Sequence, residues 1–399
     1  MIVLSGAALV LPDRILSPGT LVVENGRIAE IRPDAPSVGS HSHFAFHDHY
    51  IVPGFIDVHV HGVDGIDTLD DRPGGDSIAK IAAELPRYGV SAFCPTTVAC
   101  APEALRRVLD QVRRARQNPE PRGARVLPAH LESNFINPAY AGAQPPRCLR
   151  APTEDSRPDG EFTAVDILRE IERAAPDVGI VTVAPELDGG LELIRWLAAR
   201  ISRVSLGHSA ATYDQALEAI GAGAKHATHL FNRMPPLGHR APGLAGAVLQ
   251  SDEIAAEIIC DAYHVHPAMV RTAIAAKHPA RVLAITDGTA VSGLPVGSRA
   301  RLGGQTITAG SSAAMLDDGT LAGSTLTMEG AFQTLVGRIG LSLIDAVTLC
   351  ATTPARELGL VGHGVLAPEA AADLVILDAM FSVVQTYIGG QLVYTRTEN

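Results

Sequence analysis

Eight short apolar runs, most of them followed by an amphipathic stretch, constrain the fold of this 399-residue chain more than any other feature. They are GFIDVHVH before DSIAKIAAELPRYG, SAFCPTT before PEALRRVLDQVRRA, RVLPAHLE, IVTVAPE before GLELIRWLAAR, RVSLGHS before YDQALEAIGAG, KHATHLFN, IAAEIICDA before HPAMVRTAIAAK, and RVLAITD. Repeated strand-then-helix units of this length imply a parallel sheet covered by helices. Eight of them over about three hundred residues predict an α/β fold of the (β/α)8 TIM-barrel type. A doubly wound open sheet is the alternative, but no GxGxxG loop follows the first run, which weakens it. Hydrophobic residues make up 46% and aromatics only 4%, so the core is expected to be large and mainly Ala, Val, Leu and Ile.

The two ends read differently. LVVENGRIAEI carries Asn25-Gly26 between two apolar runs, a hairpin signal. DLVILDAM and SVVQTYIGGQLVYTR, turning at Gly389-Gly390, repeat the pattern near the other end. The expected division is residues 1–52 and 362–399 as one small β-sandwich domain assembled from both termini, with residues 53–361 as the barrel.

Charge and cysteine usage narrow the function. With 43 Asp and Glu against 32 Lys and Arg, the formal net charge is -11. Nucleic acid and anionic membranes both demand a positive surface, so neither is an expected partner. A small anionic substrate remains compatible, because a local Arg or a helix N-terminus can bind a phosphate. Cys94, Cys100, Cys148, Cys260 and Cys350 are scattered, with no CxxC pair, which fits buried thiols in a reducing compartment. The opening MIVLSGAALVLPDRIL lacks a basic start and is broken by Pro12. It reads as a strand rather than a signal peptide, and no apolar run approaches a membrane span. A cytoplasmic location is the expectation.

Polar residues collect at the ends of the apolar runs. The first ends in Asp57, His59 and His61, and the third in His130 and Glu132. The fifth ends in Gly207-His208-Ser209, the sixth in Thr228-His229 and the eighth in Thr286-Asp287-Gly288. In a TIM barrel the C-terminal strand ends surround one active-site mouth. His59, His61, Glu132, His208, His229 and Asp287 are therefore expected to converge. His59 and His61, two apart on a strand, face the same side. Four imidazoles and two carboxylates suit one or two divalent ions, Zn first, with Fe, Mn or Co as alternatives. One ion would take three protein ligands and a water; two would need a bridging carboxylate, for which Glu132 is the natural source. Asp287 would take a proton from metal-activated water and pass it to a leaving nitrogen.

Each residue alone has a blander reading, because an isolated His in an apolar run is more often a hydrogen-bonded core residue. The His-rich HSHFAFHDHY, with His41, His43, His47 and His49, precedes the barrel and reads as surface histidines without a catalytic role. Residues 231–243, a Pro/Gly-rich loop with Arg233 and Arg240, fit an anion clamp or a solvated loop. His264, in Asp261-Ala262-Tyr263-His264, is expected either to bind substrate or to cap its strand.

Taken in order, PGFIDVHVHG (53–62), HLE with FINPAYAGAQ (130–144), TVAPE (182–186), LGHSAATY (206–213), ATHLFNRM (227–234), HRAPGLAGA (239–247), DAYHV (261–265), ITDGT (285–289) and LAGSTLTM (321–328) resemble the amidohydrolase superfamily. Within it they resemble the N-acetylglucosamine-6-phosphate deacetylase family, and GVLAPEAAADLVILD (364–378) resembles that family's return into the β-domain. The resemblance implies hydrolysis of the acetamide of an N-acetylated amino-sugar 6-phosphate to acetate and a free amino sugar. It implies a main metal site at Glu132, His208 and His229, and a second at His59 and His61. It implies Asp287 as base and acid, and Asn232, Arg240 and His264 as substrate and phosphate contacts. It further implies a homodimer whose phosphate site borrows from the neighbouring subunit. Lysine occurs only at Lys80, Lys225 and Lys277, none near the third or fourth strand end, so a carboxylated-lysine bridge is disfavoured and Glu132 is left as the bridge.

The chain departs from the family pattern at Ser133-Asn134, where Gly-Pro is usual, and at Arg233, where a small residue is usual. Gln144 stands where some members use His to polarise the substrate. These changes leave open the galactosamine isomer or another N-acyl substrate. An aminoacylase-like amidohydrolase and a non-catalytic binding barrel are the competing classes.

Overall fold

Runs such as Val178–Val183 are buried at every position, which a strand can satisfy only when both faces are covered. The computed structural model describes residues 1–33, 42–70, 72, 75–156 and 161–397; His41 lies outside them. Eight parallel barrel strands follow in chain order: Phe55–Val60, Val90–Thr97, Ala129–Leu131, Val178–Val183, Arg203–Leu206, Ala224–Ala227, Ala255–Ile259 and Val282–Ile285. The first and eighth close the ring just beyond their ends. Asp287 N donates to His59 O at 3.0 Å and His61 N to Gly288 O at 2.7 Å, and Val60 bridges Gly288 in parallel. Asp57 accepts from Thr286 Oγ1 at 2.6 Å across the same seam.

Helices cover the outside, several with one buried apolar stripe, and Gly243–Gln250 with nearly all of its residues buried. In Pro102–Gln117 the buried face includes Leu105, Val108, Leu109, Val112 and Ala115; burying each larger side chain is worth about 1.5–3 kcal/mol. Local capping sets where helices begin. Thr212 accepts from Gln215 N while the Gln215 side chain accepts from Thr212 N, a reciprocal cap that starts Tyr213–Gly221 just after the His208 turn. Inside the ring, Ile56, Ala92, Cys94, Leu127, Ile180, Ala255 and Leu283 share an apolar layer, so the barrel is a packed core open only at its polar end.

Strands from both termini join one hydrogen-bonded sheet rather than two separately bonded layers. Its order runs from Gln391–Thr395 through Val383–Ile388, Leu374–Leu377, Tyr50–Pro53 and Ile2–Val10 to Ile15–Glu24 and Arg27–Pro33, with Ser42–Ala45 also on Ile2–Val10. The ends of this sheet meet. Ala372 N donates to Gly26 O at 2.9 Å, and a Cβ on Gly26 would stand 3.0 Å from Gly389 O. The two hairpin turns thus touch and enclose a core of Leu4, Leu9, Leu21, Ile28, Ile51, Leu374 and Ile376, which gives the sandwich-like packing. His43, in Ser42–Ala45, is exposed there and pairs with Ser5 Oγ at 2.7 Å.

One element of the barrel segment is not foreseen from the sequence. Arg299–Leu302, Gln305–Ala309, Ala313–Leu316 and Leu321–Ser324 form a four-stranded antiparallel meander after the eighth strand. It packs on the loop after the third strand, where Gln305 Nε2 donates to Ala143 O at 2.7 Å.

Candidate metal centre and active site

Six polar side chains from five strand ends meet at the barrel mouth. Glu132 Oε1 lies 2.8 Å from both His208 Nε2 and His229 Nε2, whose ring nitrogens are 3.0 Å apart. His59 Nε2 and His61 Nε2 are 3.2 Å apart. Asp287 Oδ1 sits 3.4 Å from the first and 3.3 Å from the second. Glu132 joins the two halves: its Oε1 is 3.7 Å from His59 and its Oε2 3.4 Å from His61. The donor atoms of Glu132, His208 and His229, and those of His59, His61 and Asp287, each fall within 4.8 Å of one another. All six residues are buried.

Backbone strain accompanies this convergence. His208, His229 and Asp287 have φ of 48°, 29° and 48°, left-handed values that cost a non-glycine residue about 1–3 kcal/mol each. Each of the three lies two residues past the end of its barrel strand.

The electrostatics call for a cation. Burial disfavours charge on His59, but Glu257, Asp287 and Glu132 outweigh it and push its pKa up to about 9. Burial likewise opposes charge on His61, and Asp287 and Glu132 raise it to about 10. Burial would raise Glu132 and Asp287, yet the surrounding imidazoles hold both carboxyls below their ordinary values. A divalent ion held by neutral imidazoles would supply positive charge beside these carboxylates. The nitrogen and oxygen donor set, its burial and its mutual spacing fit such an ion.

A cavity of about 450 Å³ opens over this cluster, lined by His61, Glu132, His208, His229 and Asp287, and also by Gln144, Asn232, Arg233 and His264. Gln144 Nε2 donates to Glu132 Oε2, and its Oε1 accepts from Ala99 N at 2.7 Å. Arg233 has φ of 50° and lies against Gly142, where a Cβ would meet its Nε at 2.7 Å. His264 Nδ1 pairs with Asp261 Oδ2 at 2.6 Å. Burial opposes charge on His264, but Asp261 raises its pKa, so the imidazolium form is favoured at this edge of the cavity. Arg240 stands apart: it is exposed and is not among the residues lining the cavity. A larger cavity of about 920 Å³ sits beside Arg107, Arg147 and Arg301, away from the clustered donors.

Ser133 and Asn134 also lie outside the cavity lining. Ser133 Oγ donates to Thr182 O at 2.5 Å, and Asn134 Nδ2 donates to Cys100 O and Cys148 O at 2.8 and 2.7 Å. The departure from Gly-Pro therefore ties the loop down behind the centre. His130 packs its ring against His59, with centroids 4.5 Å apart, and pairs its nitrogens with Val58 O and Thr182 Oγ1 at 3.0 Å each; its Nδ1 also lies 3.6 Å from Glu257 Oε1, and burial drives its pKa down to about 3, leaving it neutral.

Glu257 is not foreseen from the sequence. This fully buried carboxylate lies 2.9 Å from both His59 Nδ1 and His226 Nε2. A lone Glu inside the apolar run IAAEIICDA was the available signal, because a charge buried in a strand needs partners. Leu302, Leu321 and Gly323 of the meander, which form one wall of the cavity, are likewise unforeseen.

Residues 50–393 match the amidohydrolase family, and the chain belongs to it. Within that family it is similar along nearly its whole length to amino-sugar-6-phosphate deacetylases. It is 35% identical over 392 residues to N-acetylgalactosamine-6-phosphate deacetylase of Escherichia coli O157:H7, covering 98% of each chain. It is 36% identical over 394 residues to N-acetylglucosamine-6-phosphate deacetylase of Danio rerio, covering 96% of this chain and 91% of the relative. Among solved structures, a variant of N-acetyl-D-glucosamine-6-phosphate deacetylase from Mycobacterium smegmatis, in complex with N-acetyl-D-glucosamine-6-phosphate, superposes with a TM-score of 0.87 at 32% identity, covering 99% of both chains.

Proposed function

We propose that this protein is a metal-dependent deacetylase that hydrolyses N-acetylglucosamine 6-phosphate to acetate and glucosamine 6-phosphate. The carrying observation is the meeting of four imidazoles and two carboxylates within one buried cluster at the barrel mouth. Relatives named for this activity along nearly the whole chain support the substrate. The glucosamine isomer is favoured because those relatives and the substrate-bound neighbour carry it, although the Escherichia coli relative is named for the galactosamine isomer.

Glu132, His208 and His229 would hold one ion, with His59 and His61 offering a second position and Glu132 the bridge. Zinc is the ion that best suits this donor set, with iron, manganese or cobalt as alternatives. When bound, the ion supplies Lewis acidity toward the acyl carbonyl and eases deprotonation of water. Asp287, within 3.4 Å of His59 Nε2 and His61 Nε2, accepts a proton from the attacking water and returns it to the amide nitrogen as the C–N bond breaks. Gln144 holds Glu132 and lines the acyl end. Asn232, Arg233 and His264 line the cavity's rim and would orient the sugar phosphate, Arg233 and His264 by positive charge. Arg240, exposed on the same loop, would complete a phosphate clamp in a homodimer, as the family resemblance implies. A reducing, cytoplasmic setting is supported by five free, buried cysteines; among the described residues no helix is long and apolar enough to cross a membrane.

Acetate release should be measured on N-acetylglucosamine 6-phosphate, its galactosamine isomer and unphosphorylated N-acetylglucosamine. The expected order is fastest on the first and slowest on the last. Equal rates with and without phosphate would overturn the substrate assignment.

A further inference from the structure

Glu257, at the centre of the seventh barrel strand, is fully buried and touches both halves of the donor cluster without facing the cavity. Its Oε2 accepts from His59 Nδ1 at 2.9 Å and from the backbone N–H of His229 at 3.2 Å. Its Oε1 accepts from His226 Nε2 at 2.9 Å. Its main-chain carbonyl accepts from Leu230 N at 2.8 Å, one residue past His229.

These bonds have two consequences. A proton on His59 Nδ1 directed at Glu257 leaves the lone pair of Nε2 facing Glu132, His61 and Asp287, the orientation a metal ligand needs. At His229 the backbone φ is 29°, an unfavourable conformation that persists only where neighbours over-determine it. Glu257 supplies two of those restraints, one from its side chain and one from its carbonyl.

We propose that Glu257 is a positioning residue shared by both metal subsites, with one carboxylate oxygen fixing the His59 ring in one and the His229 turn in the other. The inference rests on the metal-dependent reading above. It follows that losing the carboxylate weakens metal binding at both subsites together. The amide analogue, Glu257→Gln, should preserve most of the binding. Its side-chain oxygen can face His59 and His229, and its NH2 group can face His226 Nε2. His226 can then accept by moving its proton to Nδ1, which among the described residues has no hydrogen-bond partner.

The test is metal affinity rather than turnover. Zinc would be titrated against a competing chelator in wild type, Glu257→Ala and Glu257→Gln, with the visible spectrum of each cobalt-loaded protein recorded alongside. The alanine variant should bind about 10–100-fold more weakly at every equivalent and show an altered cobalt spectrum; the glutamine variant should recover to within several-fold of wild type. Wild-type affinity and spectrum in Glu257→Ala, or a glutamine variant as weak as alanine, would overturn the proposal. Where Glu257→Ala does not fold, nitrogen-15 histidine spectra of zinc-loaded wild type decide. A proton on His59 Nδ1 with Nε2 on the metal is expected, and His59 bound through Nδ1 would refute it. A wild-type protein that takes up no metal contradicts the functional reading itself.

Discussion

Asp287 satisfies three demands at once: it is buried, it sits on left-handed backbone, and one of its oxygens stands within 3.4 Å of two imidazoles. Asp287→Asn keeps that shape but removes the base. It should retain metal while turnover falls at least about 10²-fold; near-normal turnover in a steady-state assay would remove Asp287 from the mechanism. Lys277 makes a separate point about burial. Desolvation, aided by Arg281, lowers its pKa to about 8, against the opposing pull of Asp252 and Glu357. The folded protein then binds this proton less tightly than the unfolded chain. Its contribution to stability therefore rises as pH climbs from about 8 to the ordinary lysine value near 10.4. Melting curves at pH 7.5 and 10 should show wild type gaining on Lys277→Met as pH rises; parallel curves would contradict this. At this scale the convergence of the six residues was legible because HxH and four isolated strand-end residues agree in type and position. Glu257 was not, because one Glu in an apolar run carries no periodic signature and only its partners across the barrel reveal its purpose.

At the level of elements, the eight strands announced themselves as apolar runs buried on both faces. The meander did not. Its strands are four or five residues long, partly exposed, and mixed with Gly, Thr and Ala, so neither the strand nor the helix period stands out. Yet this element supports the site. Ser324 N donates to Asp287 O at 2.8 Å, and Ser324 Oγ donates to Thr286 O at 2.6 Å. Gly323 allows that approach: its φ is 74°, and a Cβ would meet Thr289 Cγ2 at 2.7 Å and Asp287 O at 2.9 Å. Gly323→Ala should lower the melting temperature, since left-handed backbone alone costs an L-residue about 1–2 kcal/mol. It should also reduce turnover, because the displaced atoms belong to the Asp287 turn. Unchanged melting and unchanged turnover would show that the meander is not coupled to the site.

Across the whole molecule, the barrel concentrates anionic and strained groups at one mouth, and the remaining structure holds them there. A bound ion offsets the clustered negative charge, so it should stabilise the fold as well as enable chemistry. An ion at a hundredfold excess over its Kd adds about 2.7 kcal/mol. Differential scanning calorimetry should show the chelated protein melting several degrees lower, with recovery on adding zinc; identical melting would argue that no ion is held. The joining of both termini into one sheet was partly legible, in matching hairpin signals at either end. Its closure through Gly26 and Gly389 was not, because that contact spans the chain and involves backbone alone. If the cluster binds a metal and uses it to cleave the acetamide, activity must follow metal content. The most direct test is acetate release from N-acetylglucosamine 6-phosphate by metal-stripped protein as zinc is added back. No release is expected without metal, and release should rise with added zinc and saturate at one or two equivalents per chain; release unaffected by stripping would mean that hydrolysis does not depend on a metal.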